Sequence, residues 1–146
     1  MDSFVERAEL QVLRLRADWK GGGPAEAMHR LESKLSSLKG RKFYGTFQML
    51  PDGEEYFACV ERTGSDDPAQ MGLDAGTVPG GLFLRRKLKD WQSVVAAKKL
   101  GEQFEEMVTT CNPDPNRPSI EFYRSMVEMY LFLPVLNREG PRSARP

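Results

Sequence analysis

Residues 126–135 carry a single charge: Glu128, set among Met, Val, Tyr, Leu, Phe and Pro. An acid in that company costs several kcal/mol, roughly the scale for an uncompensated buried charge, unless a partner comes to meet it. Strand alternation places Glu128, Tyr130 and Phe132 on one face and Val127, Met129, Leu131, Leu133 and Val135 on the other. An acid on an aromatic face, backed by an aliphatic face that can pack on helices, is the pattern of a cleft for a flat or cationic small molecule. A second acid, Glu121, lies between Ile120 and Phe122 and shares a face with Tyr123. It belongs either to the cleft or to a solvated rim. Two carboxylates converging on one apolar site would repel and raise one pKa unless a cation lay between them, which is also how a general acid is made. Tyr44, and Trp19 beside the glycines at 21–23, are candidates to wall or cap the mouth of such a site.

Other chemistry has little support. His29 is the only histidine and lies off its helix stripe, with no catalytic partner in view. Cys59 and Cys111 have neither metal-ligand nor redox spacing and read as thiols in a reducing cytoplasm. Gly80-Gly81 is not followed by Lys-Ser or Lys-Thr, so it is not a phosphate loop. The basic run at 85–89 reads as a solvated strand end. No metal site and no cofactor are expected. With 21 basic and 21 acidic residues the formal charge is zero, which argues against a dedicated nucleic-acid binder. No apolar stretch approaches the ~18–20 residues that would cross a bilayer, and no export segment is read at the start, so a cytoplasmic protein without a membrane partner is expected.

The elements that must position these residues follow from periodicity. A strand is read at 9–17. A helix starts at Pro24 with the stripe Met28, Leu31, Leu35, Leu38 and ends at Gly40. Strands at 42–50 and 55–62 flank the turn Pro51-Asp52-Gly53, and 63–80 reads as a loop. A strand at 82–88 then precedes a helix over about 91–110, with Trp91 as a packing anchor and Val94, Ala97, Gly101, Phe104 and Met107 or Val108 on its apolar side. A second hairpin is read at 119–124 and 127–135, and the polar segment 137–146 is expected to be disordered. The order strand, helix, strand, strand thus occurs twice. The expected fold is α+β, a single domain over 1–136 with half-repeats at about 8–62 and 80–136. Its sheet is antiparallel or mixed, with two helices on one face and a ligand cleft on the other.

Several segments together resemble one family: Gly40-Arg41-Lys42-Phe43-Tyr44-Gly45, Tyr56-Phe57-Ala58-Cys59-Val60, Asp66-Asp67-Pro68, Met71-Gly72-Leu73, Val78-Pro79-Gly80-Gly81, Arg117-Pro118-Ser119-Ile120-Glu121-Phe122-Tyr123, and the run from Glu128 through Pro134 to Val135. Their order and spacing resemble the gyrase-inhibitor-like (GyrI-like) small-molecule-binding domains, which also form the effector-binding half of AraC-type and multidrug-sensing transcription regulators. The resemblance implies a tandem strand-helix-strand-strand fold that binds diverse organic cations between aromatics and one or two acids, which fall by position on Glu128 and Glu121. No helix-turn-helix segment is read beside it, so the chain resembles the free-standing members. Direct DNA binding is not expected, and any role in transcription would need a protein partner.

The function expected from these readings is binding of a hydrophobic, cationic or aromatic small molecule. Glu128 would supply charge, Glu121 a secondary polar contact, and Trp19, Tyr44, Tyr123, Tyr130 and Phe132 the stacking surface. Two alternatives stand beside it: a hydrolase of strained electrophilic toxins that uses Glu121 and Glu128 as a carboxylate pair, and an interaction protein for gyrase or a transcription regulator. Oligomeric state is not specified by the sequence.

Overall fold

The computed structural model describes residues 2–96 and 98–141. The helix position Ala97 and the last part of the tail, 142–146, lie outside the described residues. Eight strands arise where apolar positions alternate: β1 Ser3–Arg7, β2 Leu10–Arg16, β3 Phe43–Leu50, β4 Gly53–Glu61, β5 Asp74–Val78, β6 Gly81–Lys89, β7 Ser119–Tyr123 and β8 Glu128–Pro134. They form one sheet in the order β1-β6-β8-β7-β3-β4-β2-β5, and every pairing is antiparallel. If β5 to β8 are matched with β1 to β4, this order reads the same from either edge.

Both edge strands were invisible to the sequence reading. β1 precedes the first strand expected, and β5 lies inside the stretch read as a loop. The reason is short length and one-sided burial: of Asp-Ala-Gly-Thr-Val in β5 only Val78 is buried, so no periodic signal survives. The pairing supplies what the pattern lacks, since β1 aligns on β6 and β5 on β2.

The helices are α1 Gly23–Ser33, α2 Pro68–Met71, α3 Trp91–Ala96 and α4 Leu100–Val108. Ala27 and Leu31 of α1 pack on Leu13, Tyr56, Ala58 and Val60. Met107 of α4 packs on Leu84, Leu88, Met129, Leu131 and Leu133. By strand parity both clusters stand on the same face of the sheet, so the longer helices share one side, as expected. A third cluster, on the other face, joins Val12, Tyr44, Cys59, Val78, Phe83, Ile120 and Phe132. It brings β5 into contact with β6, which are last and second in the strand order, so the sheet curls around it into a half-barrel.

Two helix expectations are corrected. The first helix stops at Ser33 rather than Gly40: Ser33, Ser36 and Ser37 compete for the backbone, and Leu38 is 44% exposed. The second is split in two. Lys98 takes a left-handed φ of 58°, with Lys98 N–H donating to Val95 O at 2.9 Å and Lys99 N–H to Val94 O at 3.0 Å. That is a Schellman closure in which lysine occupies the place usually held by glycine.

Candidate functional site

The two apolar clusters under the helices do not merge. Across the sheet, one row of paired residues runs Leu131, Glu121, Gly45, Ala58. Leu131 belongs to the cluster under α3 and α4, and Ala58 to the cluster under α1. The seam between them therefore has an acid and a glycine as its floor.

Glu121 is only 8% exposed. Two phenols satisfy one of its oxygens: Tyr123 Oη donates to Oε1 at 2.7 Å and Tyr56 Oη donates to the same atom at 2.9 Å. The two hydroxyls lie 3.4 Å apart. Gly45 is what lets them converge, because a Cβ there would overlap the Tyr56 hydroxyl and sit 2.7 Å from Glu121 Oε1. The Trp91 ring meets Tyr123 edge-on at 5.3 Å and 63°, held by its indole N–H donating to Ser125 O at 2.9 Å. Phe43 and Phe47 flank the seam from the α1 side.

Burial raises the pKa of Glu121, and the hydrogen bonds from Tyr123 and Tyr56 pull against that rise. Burial, reinforced by the neighbouring carboxylate, pushes both tyrosines well above their ordinary value, so they remain hydroxyl donors at any physiological pH. The arrangement is a desolvated carboxyl held in place by two neutral donors, with apolar groups on either side.

The sequence expectation gave this environment to Glu128, and that is corrected. The Glu128 side chain is 26% exposed and ion-paired with Lys87. Lys87 first, with Arg124 and Lys89, holds its carboxyl below the ordinary range. The neighbourhood looked apolar in sequence, but the compensating lysine comes from β6, one strand away in the sheet. Glu121 and Glu128 also do not converge. Glu121 pairs with Leu131, and Glu128 differs from Leu131 by an odd number of residues, so the two acids stand on opposite faces. The carboxylate pair of the hydrolase alternative is not formed.

The remaining candidates divide the same way. Tyr123 lies beside Glu121. Tyr44, Tyr130 and Phe132 stand on the opposite face in an aromatic row with Phe122: Tyr44 stacks on Phe122 at 4.8 Å, and Phe122 lies 6.4 Å from Tyr130. Arg7 covers Phe132 at 4.2 Å. Trp19 is 46% exposed, with its indole N–H donating to Glu54 O at 2.9 Å. Sequence reasoning missed Tyr56, Gly45 and the role of Trp91. A signal for Tyr56 was present: alternation in β4 puts it on one face with the apolar Ala58 and Val60, so its hydroxyl needs a partner there.

Among the described residues, no cluster of three or more His, Cys, Asp or Glu is placed to hold a metal ion, and no helix is long and apolar enough to cross a membrane. No protein-family model and no curated protein matches the sequence. Solved structures do match. An integron cassette protein from the mobile metagenome of Vibrio cholerae aligns with a TM-score of 0.69 at 13% identity, over 92% of this chain and 95% of that one. A hydrolase from Listeria innocua aligns with a TM-score of 0.57 at 13% identity, over 92% and 90%. The protein SAV2435, solved bound to tetraphenylphosphonium, aligns with a TM-score of 0.57 at 11% identity, over 92% and 93%. At such identities the likeness shows the fold, and the curled antiparallel sheet with its helices on one face is consistent with the GyrI-like fold.

Proposed function

We propose that the chain is a GyrI-like small-molecule-binding module whose ligand places a cationic group against Glu121, between the clusters under α1 and under α3 and α4. The observation that carries this reading is the buried Glu121 carboxyl, fixed by Tyr56 and Tyr123 at the floor of the seam. A buried acid without a cation is a standing cost to the fold, and one kept in spite of that cost suits an exchangeable positive guest. The solved complex of SAV2435 with tetraphenylphosphonium, a lipophilic cation, supports the class of ligand.

The chemistry favours large, charge-delocalised cations. Such an ion gives up little hydration on entering an apolar seam, whereas an ammonium would give up much more. Trp91, Tyr123 and Phe43 offer ring faces and edges to it. Selectivity would be broad, because most of the affinity comes from apolar burial and one unshared charge. Entry requires the seam to open, and α3 is the element suited to move: it has six residues and is cut off from α4 by the turn at Lys98. Glu128, Trp19, Tyr44, Tyr130 and Phe132 are outside the site in this reading.

The test is titration with tetraphenylphosphonium at fixed ionic strength. Glu121→Gln keeps the shape of the site and removes the charge, and affinity is expected to fall about tenfold or more, the worth of a charge-assisted contact. Undiminished affinity in the variant would refute the reading.

A further inference from the structure

Most of the partly buried arginines are neutralised by an acid. Arg86 lines a hollow of about 630 Å³ beside Phe4, Leu84 and Gln103, but it is already bonded to Asp2 at 2.7 and 2.8 Å. Arg41 is held by Asp66 and Arg117 by Asp114.

Arg14 differs. It projects from β2 onto the face opposite Glu121, where it lines a second hollow of about 180 Å³ with Thr46, Gln48, Phe57, Thr77 and Asn116. Its guanidinium carbon lies 4.0 Å from the centre of the Phe57 ring. On its other side is the backbone of Gly76, where a Cβ would come within 2.7 Å of the guanidinium carbon and 3.0 Å of Cδ. The guanidinium is thus clamped between a ring and a bare backbone. Its Nε is buried and has no hydrogen-bond partner. Two acids are near by sequence register or lining, and neither takes it. Asp74 pairs with Arg14 across the β2–β5 ladder, yet among the described residues no carboxylate reaches ion-pair distance of Arg14. Glu55 also lines the hollow, and its carboxylate is paired with Arg16 at 3.7 Å.

Arg14 as a whole is half-buried, and its one buried, unpaired donor, Nε, is costly to leave without an acceptor. Its planar fork matches a carboxylate or a phosphate. The Asn116 and Gln48 amides offer donors for the remaining oxygens, while the Thr77 hydroxyl already donates to Gln11 Oε1 at 3.1 Å. The volume is below the usual range for drug-sized ligands, which limits the guest to a small one.

We infer that the Arg14 hollow is a second binding site, on the opposite face of the sheet from Glu121, for a small oxyanion: a short carboxylate or a phosphate. The site is independent of the cation reading, since it shares none of its residues.

The test is an amide and guanidinium NMR titration of the whole chain with inorganic phosphate and, separately, with pyruvate, each matched in ionic strength with sodium chloride. Saturable shifts of the Arg14 Nε–H and of the Gly76 and Thr77 amides are expected with at least one probe, and the two arms distinguish phosphate from carboxylate. Arg14→Gln is expected to weaken the response about tenfold or more. Arg14→Lys, which keeps the charge and loses the fork, is expected to weaken it by less. Glu121→Gln is expected to leave it unchanged. Shifts that follow ionic strength alone, or saturable shifts that survive in Arg14→Gln, would overturn the assignment. If Arg14→Gln fails to fold, Arg14→Lys in the same titration decides: affinity equal to wild type for both probes would overturn the forked recognition.

Discussion

Glu121 and Glu128 occupy neighbouring strands of one sheet, and their surroundings are opposite. Glu128 opens β8, where a strand end is wet and a lysine on the adjacent strand can reach it. Glu121 sits mid-row between two apolar clusters, where neutral phenols are its only hydrogen-bond donors among the described residues. The first acid is lowered in pKa by a cation and the second is raised by burial. An acid that already has its cation has little to offer a charged ligand. The difference teaches that an apolar sequence neighbourhood does not predict an acid's environment; what stands across the ladder on either side does.

Four measurements would break or sharpen this contrast. The largest effect is expected at Gly45. Gly45→Ala forces a Cβ into the Tyr56 hydroxyl and toward Glu121, and a stability loss of about 2–3 kcal/mol in urea denaturation is expected, as for other overpacked sites. Gly101→Ala is the control: it lies in α4 with open space around it, and should gain about 0.5–1 kcal/mol.

Next is Tyr56→Phe, which removes one of the two donors on Oε1. A loss of about 1–3 kcal/mol is expected for a bond to a charged buried acceptor. The pKa of Glu121, followed by carboxyl NMR, should move further up, because this hydroxyl is one of the two groups that lower it. A fall would contradict the assignment of the donor.

The third effect is a change in pH dependence. Glu121 has a raised folded-state pKa, so between its unfolded and folded pKa values the folded state holds more protons, and stability declines as pH rises through that window. Glu121→Gln removes the decline. The variant should therefore be more stable than wild type near neutrality, and its advantage should shrink as pH falls from the raised folded-state value toward the ordinary glutamate value and level off below it. Tetraphenylphosphonium affinity of the wild type should fall with decreasing pH, and the fall should begin at a higher pH than an ordinary carboxyl would give.

The smallest effect belongs to Glu128→Gln. Loss of its exposed pair with Lys87 should produce a stability change near the limit of detection, smaller still at high salt, and no change in cation affinity.

The fold was legible where two faces of a segment differ. The strands at β2, β3, β4, β6, β7 and β8 and the two helical regions carry clear 2.0 or 3.6 periodicity, and both longer helices sit on the same face of an antiparallel sheet as the pattern implied. β1 and β5 were not legible because each is held by its partner strand rather than by its own alternation. The break at Lys98 was hidden in Ala-Ala-Lys-Lys-Leu, a run of strong helix formers, since a left-handed lysine leaves no trace of the kind glycine leaves. For the site, alternation grouped Glu121 correctly with Tyr123 and correctly separated Glu128 from Met129 and Leu131. It could not rank the two acids. That ranking depends on Lys87, Gly45 and Tyr56, contributed by strands up to 76 residues away in the chain.

The central claim is that a cationic ligand meets Glu121 in the seam between the helices. A crystal structure of the protein with tetraphenylphosphonium bound tests it most directly. The account predicts the phosphonium beside the Glu121 carboxyl, with phenyl groups against Trp91, Tyr123 and Phe43. Density for the cation on the other face of the sheet, beside the Glu128 and Lys87 pair, with the Glu121 seam still closed, would contradict it.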